Sequence, residues 1–315
     1  MTAPALRIGL VGAGRLAEVG YLPALDAVPA LQLTAVADPD RARAVAVAGA
    51  AGPAVEVFPD ALELAASGTV DAVVVASPPA QHLAGAEAAT AAGLPVLVEK
   101  PPAPDLAGAQ ALASLRPVPW IAFNRRFDPG LRAMRERIPR TGLIELDLRL
   151  AYRRASWNPR VVDDDVLLDL GPHVVDLARW LTGSEVEAVS ADLAPTRARL
   201  HLAGDRLAAT VALTCDALHH ERVAARAGGR RIRGHRTGGP SGLVTGRVAA
   251  LRGRPHPLVT SLAGQLAAFA EALRGSPAPD LATAAEGVEV MAVLDAARRS
   301  SSSHHRLEPV CPEEP

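Results

Sequence analysis

The stretch Leu6-Arg-Ile-Gly-Leu-Val-Gly-Ala-Gly-Arg-Leu-Ala17 decides the fold. It begins as an apolar run of strand type, breaks at glycines, and resumes as the first turn of a helix. Gly12 and Gly14 permit a tight turn and let the main chain approach a pyrophosphate, while the amides of a helix opening at Arg15 and Leu16 aim partial positive charge at it. Ala17 stands at the third small position of the G-x-G-x-x-G/A pattern. Such a pattern also occurs in empty turns, so its surroundings decide its meaning. Here a second strand, Leu31 to Ala37, follows and closes on Asp38, which completes a βαβ unit of dinucleotide-binding type. A carboxylate at Asp38 accepts ribose hydroxyls and repels a 2′-phosphate, which predicts NAD. Two alternatives stand beside that reading. Asp38-Pro39-Asp40 can simply cap the helix beginning near Arg41, and Arg41 or Arg43 can receive a 2′-phosphate, which leaves NADP open.

The chain has 315 residues, of which 49% are hydrophobic, enough for about two packed domains. Its 33 basic and 34 acidic side chains give a formal charge of −1, so no global field recruits nucleic acid or an anionic membrane. Cys215 and Cys311 lie far apart without C-x-x-C spacing, which predicts a reducing, cytoplasmic setting rather than a disulfide framework or zinc ribbon. Neither a signal-peptide pattern nor a long uncharged apolar span is present.

Leu16 to Val28 reads as a helix that Pro23 should kink or shorten. Further strands are expected at 55–58, 70–76, 95–99 and 118–123, with alanine-rich helices between most of them, and such alternation predicts a doubly wound parallel sheet. These strands end on Ser77-Pro78, on Glu99-Lys100-Pro101 and on Asn124-Arg125-Arg126, at the carboxyl edge where ligands of open α/β sheets bind. From about Asp128 the pattern changes. A basic helix (131–138), an alternating strand (143–150) and a helix (166–181) ended by Gly183 precede strands at 186–194, 196–202, 206–214 and 221–227, the middle two joined by Gly204-Asp205. Consecutive strands predict a mainly antiparallel sheet in an α+β second domain. Residues 228–257, rich in glycine and arginine, read largely as loop; helices at 258–273 and 283–298 and a short strand at 306–310 complete the chain. The division expected is a Rossmann domain over 1–124 and a substrate-binding, oligomerising domain over 125–315.

Several stretches together resemble the Gfo/Idh/MocA family of glucose-fructose oxidoreductase, inositol dehydrogenase and rhizopine-catabolism proteins. They are Val74-Val-Ala-Ser-Pro-Pro-Ala-Gln-His82, Val96-Leu-Val-Glu-Lys-Pro101, Asn124-Arg-Arg-Phe-Asp-Pro129 and Leu168-Asp-Leu-Gly-Pro-His-Val-Val-Asp-Leu-Ala-Arg-Trp-Leu-Thr-Gly183, with weaker likeness at 269–275 and 296–301. The resemblance spans nearly the whole chain. It implies a C-terminal open-faced mixed sheet, a homodimer or homotetramer, and NAD(P)-linked hydride transfer to or from a sugar, cyclitol or related polyol. The chain departs from the family at Asp163-Asp164-Asp165, where many relatives carry a glycine-rich turn, and in a short segment between Gly183 and Pro257. The triple aspartate reads as a helix N-cap favoured by the helix dipole, or as part of a pocket for an amino-substituted sugar.

Oxidising a carbinol requires a nicotinamide held against the carbon and a group that takes the hydroxyl proton. Lys100, at a strand end beside the crevice, can stabilise the developing alkoxide. Asp169 and His173 are four apart and share one helix face. By resemblance that face meets Lys100, with His173 as general base and Asp169 orienting the lysine or substrate. By the same resemblance Asn124 contacts the nicotinamide ribose or substrate, and Arg125 or Arg126 bridges domains. His82 is expected to close over the cofactor, with capping or helix packing as the alternative. Trp157 lines the pocket or packs in a loop. The arginines between 230 and 254 grip a phosphate-bearing substrate or, as the plainer reading, sit in a solvated loop. His219-His220 and His304-His305 lack a third ligand nearby, and no metal is expected. Two other functions share these features: an NAD-dependent, redox-neutral glycoside hydrolase of the same family, distinguished by the absence of net NADH, and a non-catalytic dinucleotide-binding protein.

Overall fold

The computed structural model describes residues 4–153, 165–238 and 255–310. Strand β1 (Leu6–Val11) leads to a π-helical turn, Ala17–Tyr21, that continues as helix α1 (Leu22–Asp26). Then come β2 (Leu31–Ala37), α2 (Arg41–Ala51), β3 (Glu56–Phe58), α3 (Ala61–Ala66), β4 (Ala72–Val75), α4 (His82–Ala91), β5 (Val96–Glu99), α5 (Leu106–Ser114) and β6 (Trp120–Ala122). After α6 (Pro129–Arg135), β7 (Ile144–Arg153) and α7 (Val166–Thr182) follow β8 (Ala188–Ala194), β9 (Arg197–Gly204), β10 (Leu207–Thr214), β11 (Asp216–Ala227) and β12 (Arg230–Gly238). The last described stretch holds α8 (Pro257–Leu273), β13 (Ala282–Thr283), α9 (Ala284–Ser302) and β14 (Glu308–Pro309).

The strands form two sheets. The first has the order β13-β6-β5-β4-β1-β2-β3 and is parallel except for β13. Its central strands are buried on both faces, which is why β4 reads Ala-Val-Val-Val without alternation. Three of its βα junctions are closed by an aspartate: Asp40, Asp60 and Asp105 cap α2, α3 and α5 by accepting the amides of Arg43, Glu63 and Gly108. The second sheet has the order β12-β11-β7-β10-β9-β8-β14. It is mainly antiparallel, but β7 and β10 pair in parallel across a register from Leu207–Ile144 to Thr214–Ala151, so it is mixed. Helix α7 covers one face, where Ile144, Leu146, Leu148 and Leu150 of β7 are buried.

The structure corrects several sequence expectations. The helix expected over 16–28 is not a single α-helix. Pro23 brings no N–H for the Val19 carbonyl, and the preceding turn widens, with Leu22 donating to the Ala17 carbonyl. Residues 230–238, expected as loop, form β12 at the sheet edge; because none of its residues is buried, no apolar period marks it. The basic helix is shorter, ending at Arg135. The chain also does not divide once, at 124/125. One compact unit comprises Met1–Asp128 with His256–Val288, and the other Pro129–Pro255 with Glu289–Pro315. Helix α8 returns to the first unit because its apolar side, Leu262, Leu266, Phe269 and Ala270, joins the core around Tyr21, Ala24 and Leu25. Among the described residues, no helix is long and apolar enough to cross a membrane.

Candidate functional site

In the first unit the carboxyl edge of the sheet gathers the residues expected to hold a cofactor. Gly12, at φ 102°, lies so close to β4 that a Cβ would sit 2.7 Å from the carbonyl of Ala76 and the amide of Ser77. Only glycine fits there. At Gly14, by contrast, a Cβ would meet no protein atom within 4 Å. The space above that turn is therefore open to a ligand. Arg15 is exposed and pairs loosely with Glu18 at 3.6 Å, and Leu16 is half-buried.

Asp38 is buried, and each of its oxygens accepts a backbone amide at 2.8 Å: Oδ2 from Ala13 and Oδ1 from Asp40. A carboxylate offers about four acceptor positions, so capacity for ribose hydroxyls remains. The cap of α2 is Asp40 and not Asp38, and Asp40 also binds the Arg43 guanidinium at 2.8 Å. Arg43 is thus already engaged by a carboxylate, while Arg41 is exposed.

Beyond β4, Ser77 presents a buried Oγ with no partner among the described residues, while Pro78 is exposed. At the end of β6, Asn124 is buried; its Nδ2 donates to Ser261 Oγ at 3.2 Å, and its Oδ1 is likewise buried without a partner. Orphaned buried polar atoms of this kind call for a missing partner. Together with the Gly12 cradle and the clear space at Gly14, they fit a dinucleotide whose far half reaches the ends of β4 and β6. Arg126, next to Asn124, is 1% exposed and donates to Glu286 Oε1 at 2.7 Å, a tie within the first unit.

His82 opens α4 and is buried, with Nδ1 2.8 Å from the Pro101 carbonyl and Nε2 2.8 Å from the Ser77 carbonyl. Burial pushes its pKa down, opposed by those two carbonyls and helped by the charge of Lys100. It joins the loops after β4 and β5 from within, which fits the packing alternative. Between them stands Glu99, also buried. Its Oε1 accepts the Tyr21 hydroxyl at 2.7 Å and its Oε2 accepts the Lys100 amide at 3.0 Å. Burial raises the Glu99 pKa, against the lowering effects of Tyr21 and Lys100. Tyr21, wholly buried beside this carboxylate, is pushed well above its ordinary value. Sequence reasoning missed Tyr21. Its signal was an aromatic residue two positions before a proline in the helix after the glycine turn, and that pattern more often marks core packing.

In the second unit Asp169 and His173 lie on α7, both half-buried in a helix otherwise almost wholly packed. Tyr152, at the end of β7, donates its hydroxyl to Asp169 Oδ2. This partner was also missed, because nothing in the alternation of β7 separates Tyr152 from an ordinary strand residue. Asp165 caps α7 by accepting the Leu168 amide at 2.7 Å and lies 3.4 Å from Arg298, as the capping reading requires. Trp157, Asp163, Asp164 and residues 239–254 lie outside the described residues. Among those described, no cluster of three metal-ligating side chains occurs.

Comparison with known proteins adds three findings. Residues 6–116 match the profile of an oxidoreductase family with an NAD-binding Rossmann fold, GFO_IDH_MocA, and residues 145–233 match the GFO/IDH/MocA C-terminal domain. Inositol 2-dehydrogenase 2 of Saccharopolyspora erythraea is 32% identical over 193 residues, a match that spans 59% of this chain and only 56% of that relative. Rhizopine catabolism protein MocA of Rhizobium meliloti is 31% identical over 92% of this chain and 93% of its own length, and a myo-inositol dehydrogenase of Streptomyces leeuwenhoekii is 32% identical over 95% and 98%. In fold, the chain is similar to the crystal structure of a myo-inositol dehydrogenase from Corynebacterium glutamicum, with TM-score 0.80, 20% identity and coverage of 98% of this chain and 100% of the other. It is also similar to a scyllo-inositol dehydrogenase from Lactobacillus casei solved with NAD(H) and scyllo-inositol, with TM-score 0.78, 20% identity and coverage of 97% and 99%.

Proposed function

This chain belongs to the Gfo/Idh/MocA oxidoreductase family, and from that premise we propose that it is an NAD-dependent dehydrogenase of cyclitols and related polyols. The observation that carries the reading is the carboxyl edge of the first sheet, where the turn after β1 offers a pyrophosphate cradle and β5, two strands over, is followed by Lys100, anchored through its amide on buried Glu99. The relatives named for inositol supply the substrate class.

On this reading Gly12, Gly14 and the amides that follow hold the pyrophosphate, Asp38 accepts the adenosine ribose hydroxyls, and Ser77 Oγ and Asn124 Oδ1 meet the nicotinamide half. Bound NAD supplies the hydride acceptor. The protein's own work is to orient the carbinol and to move its proton. The Lys100 ammonium stabilises the alkoxide that develops as the proton leaves. In the second unit His173 is the acceptor of that proton at a ring nitrogen, and Asp169, on the same helix and steadied by the Tyr152 hydroxyl, orients the substrate. In the reducing direction the same groups return the proton.

The test is a panel of inositols and sugars with NAD and with NADP, followed by NADH or NADPH absorbance. NADH formation with a cyclitol is the expected result. Cleavage of a glycoside with no net NADH would replace the dehydrogenase reading by the redox-neutral one, and NAD binding without any turnover across the panel would reduce the protein to a dinucleotide binder.

A further inference from the structure

Lys100 is flanked on its N-terminal side by a buried acid whose two oxygens are both engaged. Glu99 Oε2 takes the Lys100 amide, and Oε1 takes the Tyr21 hydroxyl from the π-helical turn on the far side of the glycine cradle. A carboxylate buried in this way is stable only if its oxygens are satisfied. The widened turn is what delivers that second hydrogen bond, because it carries Tyr21 inward beside the fully buried Gln265 of α8. The pyrophosphate turn and the Lys100 end of β5 are thereby linked through one side-chain contact that no cofactor atom needs to make. We propose that Tyr21 is a positioning residue for Lys100, acting through Glu99. The inference rests on the dehydrogenase reading for its catalytic meaning, though not for the contact itself. The titratable groups acting on Glu99 are Tyr21 and Lys100, and both oppose the effect of burial.

Removing the hydroxyl with Tyr21→Phe takes away a donor that keeps the Glu99 proton off, so Glu99 should hold its proton to higher pH. Difference infrared titration of the carboxylic C=O stretch, with Glu99→Gln identifying the band, reads this without any substrate. With myo-inositol and NAD, Tyr21→Phe should lower kcat about 10-fold, the size of a lost hydrogen bond to a charged group, and move the acid limb of the kcat profile upward. NAD affinity by calorimetry should stay within about 2-fold of the parent, since the cradle is untouched. Glu99→Gln should lower kcat at least as far while leaving the limb set by His173, and adding Tyr21→Phe to it should change neither kcat nor the profile much further. The proposal is overturned if the Glu99 band titrates alike in parent and Tyr21→Phe, or if Tyr21→Phe lowers kcat with an unshifted profile, as loosened packing would. A parental kcat in Glu99→Gln overturns it equally, even if Tyr21→Phe does not fold. If the parent turns over no cyclitol, the dehydrogenase reading fails, while the infrared arm still decides whether Tyr21 governs Glu99.

Discussion

Asp38 does two jobs with one side chain. It ties the glycine turn to the start of α2 through the amides of Ala13 and Asp40, and in the proposed function its remaining lone pairs and negative charge would select the adenosine ribose. Replacing it with alanine strips the selecting charge and leaves a turn amide without its partner. The expected outcome is a fall of about 10- to 100-fold in the ratio of kcat/KM for NAD over NADP, the equivalent of a charge-assisted hydrogen bond of about 1.5–3 kcal/mol. Steady-state kinetics with both cofactors would expose an unchanged ratio. A second set of variants separates binding from chemistry. A Cβ at Gly14 meets no protein atom within 4 Å, so Gly14→Val should fold yet bind NAD weakly by calorimetry. His173→Ala and Lys100→Met should bind NAD like the parent and lose roughly 10²- to 10⁴-fold in turnover. Parental turnover in either would remove that residue from the proposed chemistry. At this scale the sequence was readable where a backbone need forced a residue type. Gly12 must be glycine because the backbone of Ala76 and Ser77, just after β4, lies 2.7 Å from where a Cβ would stand. Tyr21 and Tyr152 were not readable, because their importance lies in which carboxylate each reaches, and no local spacing records a partner 78 or 17 residues away.

Among the elements, the 3₁₀ turn Asn124–Phe127 and the start of α9 are joined by an ion pair between the buried Arg126 and the half-buried Glu286. Burial alone would raise the Glu286 carboxyl, but the Arg126 charge and hydrogen bonds from Arg126 and Thr283 outweigh it and hold the group below its ordinary value of 4.5. A depressed folded-state pKa contributes stability above the unfolded value and loses it as the pH falls through the folded one. Arg126→Met should therefore destabilise the protein at neutral pH by about 3 kcal/mol, the low end for breaking a buried pair because Glu286 is one-third exposed. The gap to the parent should close in acid, and urea denaturation across pH would detect a gap that stays constant instead. Most elements of the first sheet were legible because buried parallel strands and capping aspartates leave strong local signals. The edge strand β12 was not: Arg230–Gly238 buries almost nothing, so it follows from pairing with β11 and not from any periodicity of its own.

For the molecule as a whole, the first unit is completed only by residues 256–288. Leu262, Leu266 and Phe269 are fully buried in its core. Each contributes roughly 1.5–3 kcal/mol, and their sum rivals the 5–15 kcal/mol typical of a whole domain. A fragment ending at residue 124 should thus be unfolded or aggregated by circular dichroism and light scattering. Residues 1–128 joined by a flexible linker to 256–288 should fold and bind NAD, and a stable, NAD-binding 1–124 fragment would refute this. The second sheet bears on how copies of the chain would assemble. Its face away from α7 is charged and small rather than apolar, with Asp147 contacting Arg149 and Arg222 at 3.1 Å and Arg199, His201 and Thr210 alongside. If two copies pair across this face, the dimer should weaken as salt is raised. Sedimentation at low and high ionic strength would reveal a dimer indifferent to salt, which would point to another surface.

The return of α8 to the first unit also sets the timing of events on the ribosome. Translation proceeds at about 5–20 residues per second, so on the order of ten to thirty seconds separate the emergence of β6 from that of the helix that seals its unit. Throughout that interval the nascent parallel sheet carries an uncovered apolar flank around Tyr21, Ala24 and Leu25. Until the sealing helix arrives, that uncovered flank should attract chaperones, and synonymous codon changes that slow synthesis between residues 129 and 255 should lower the soluble yield without altering a single side chain.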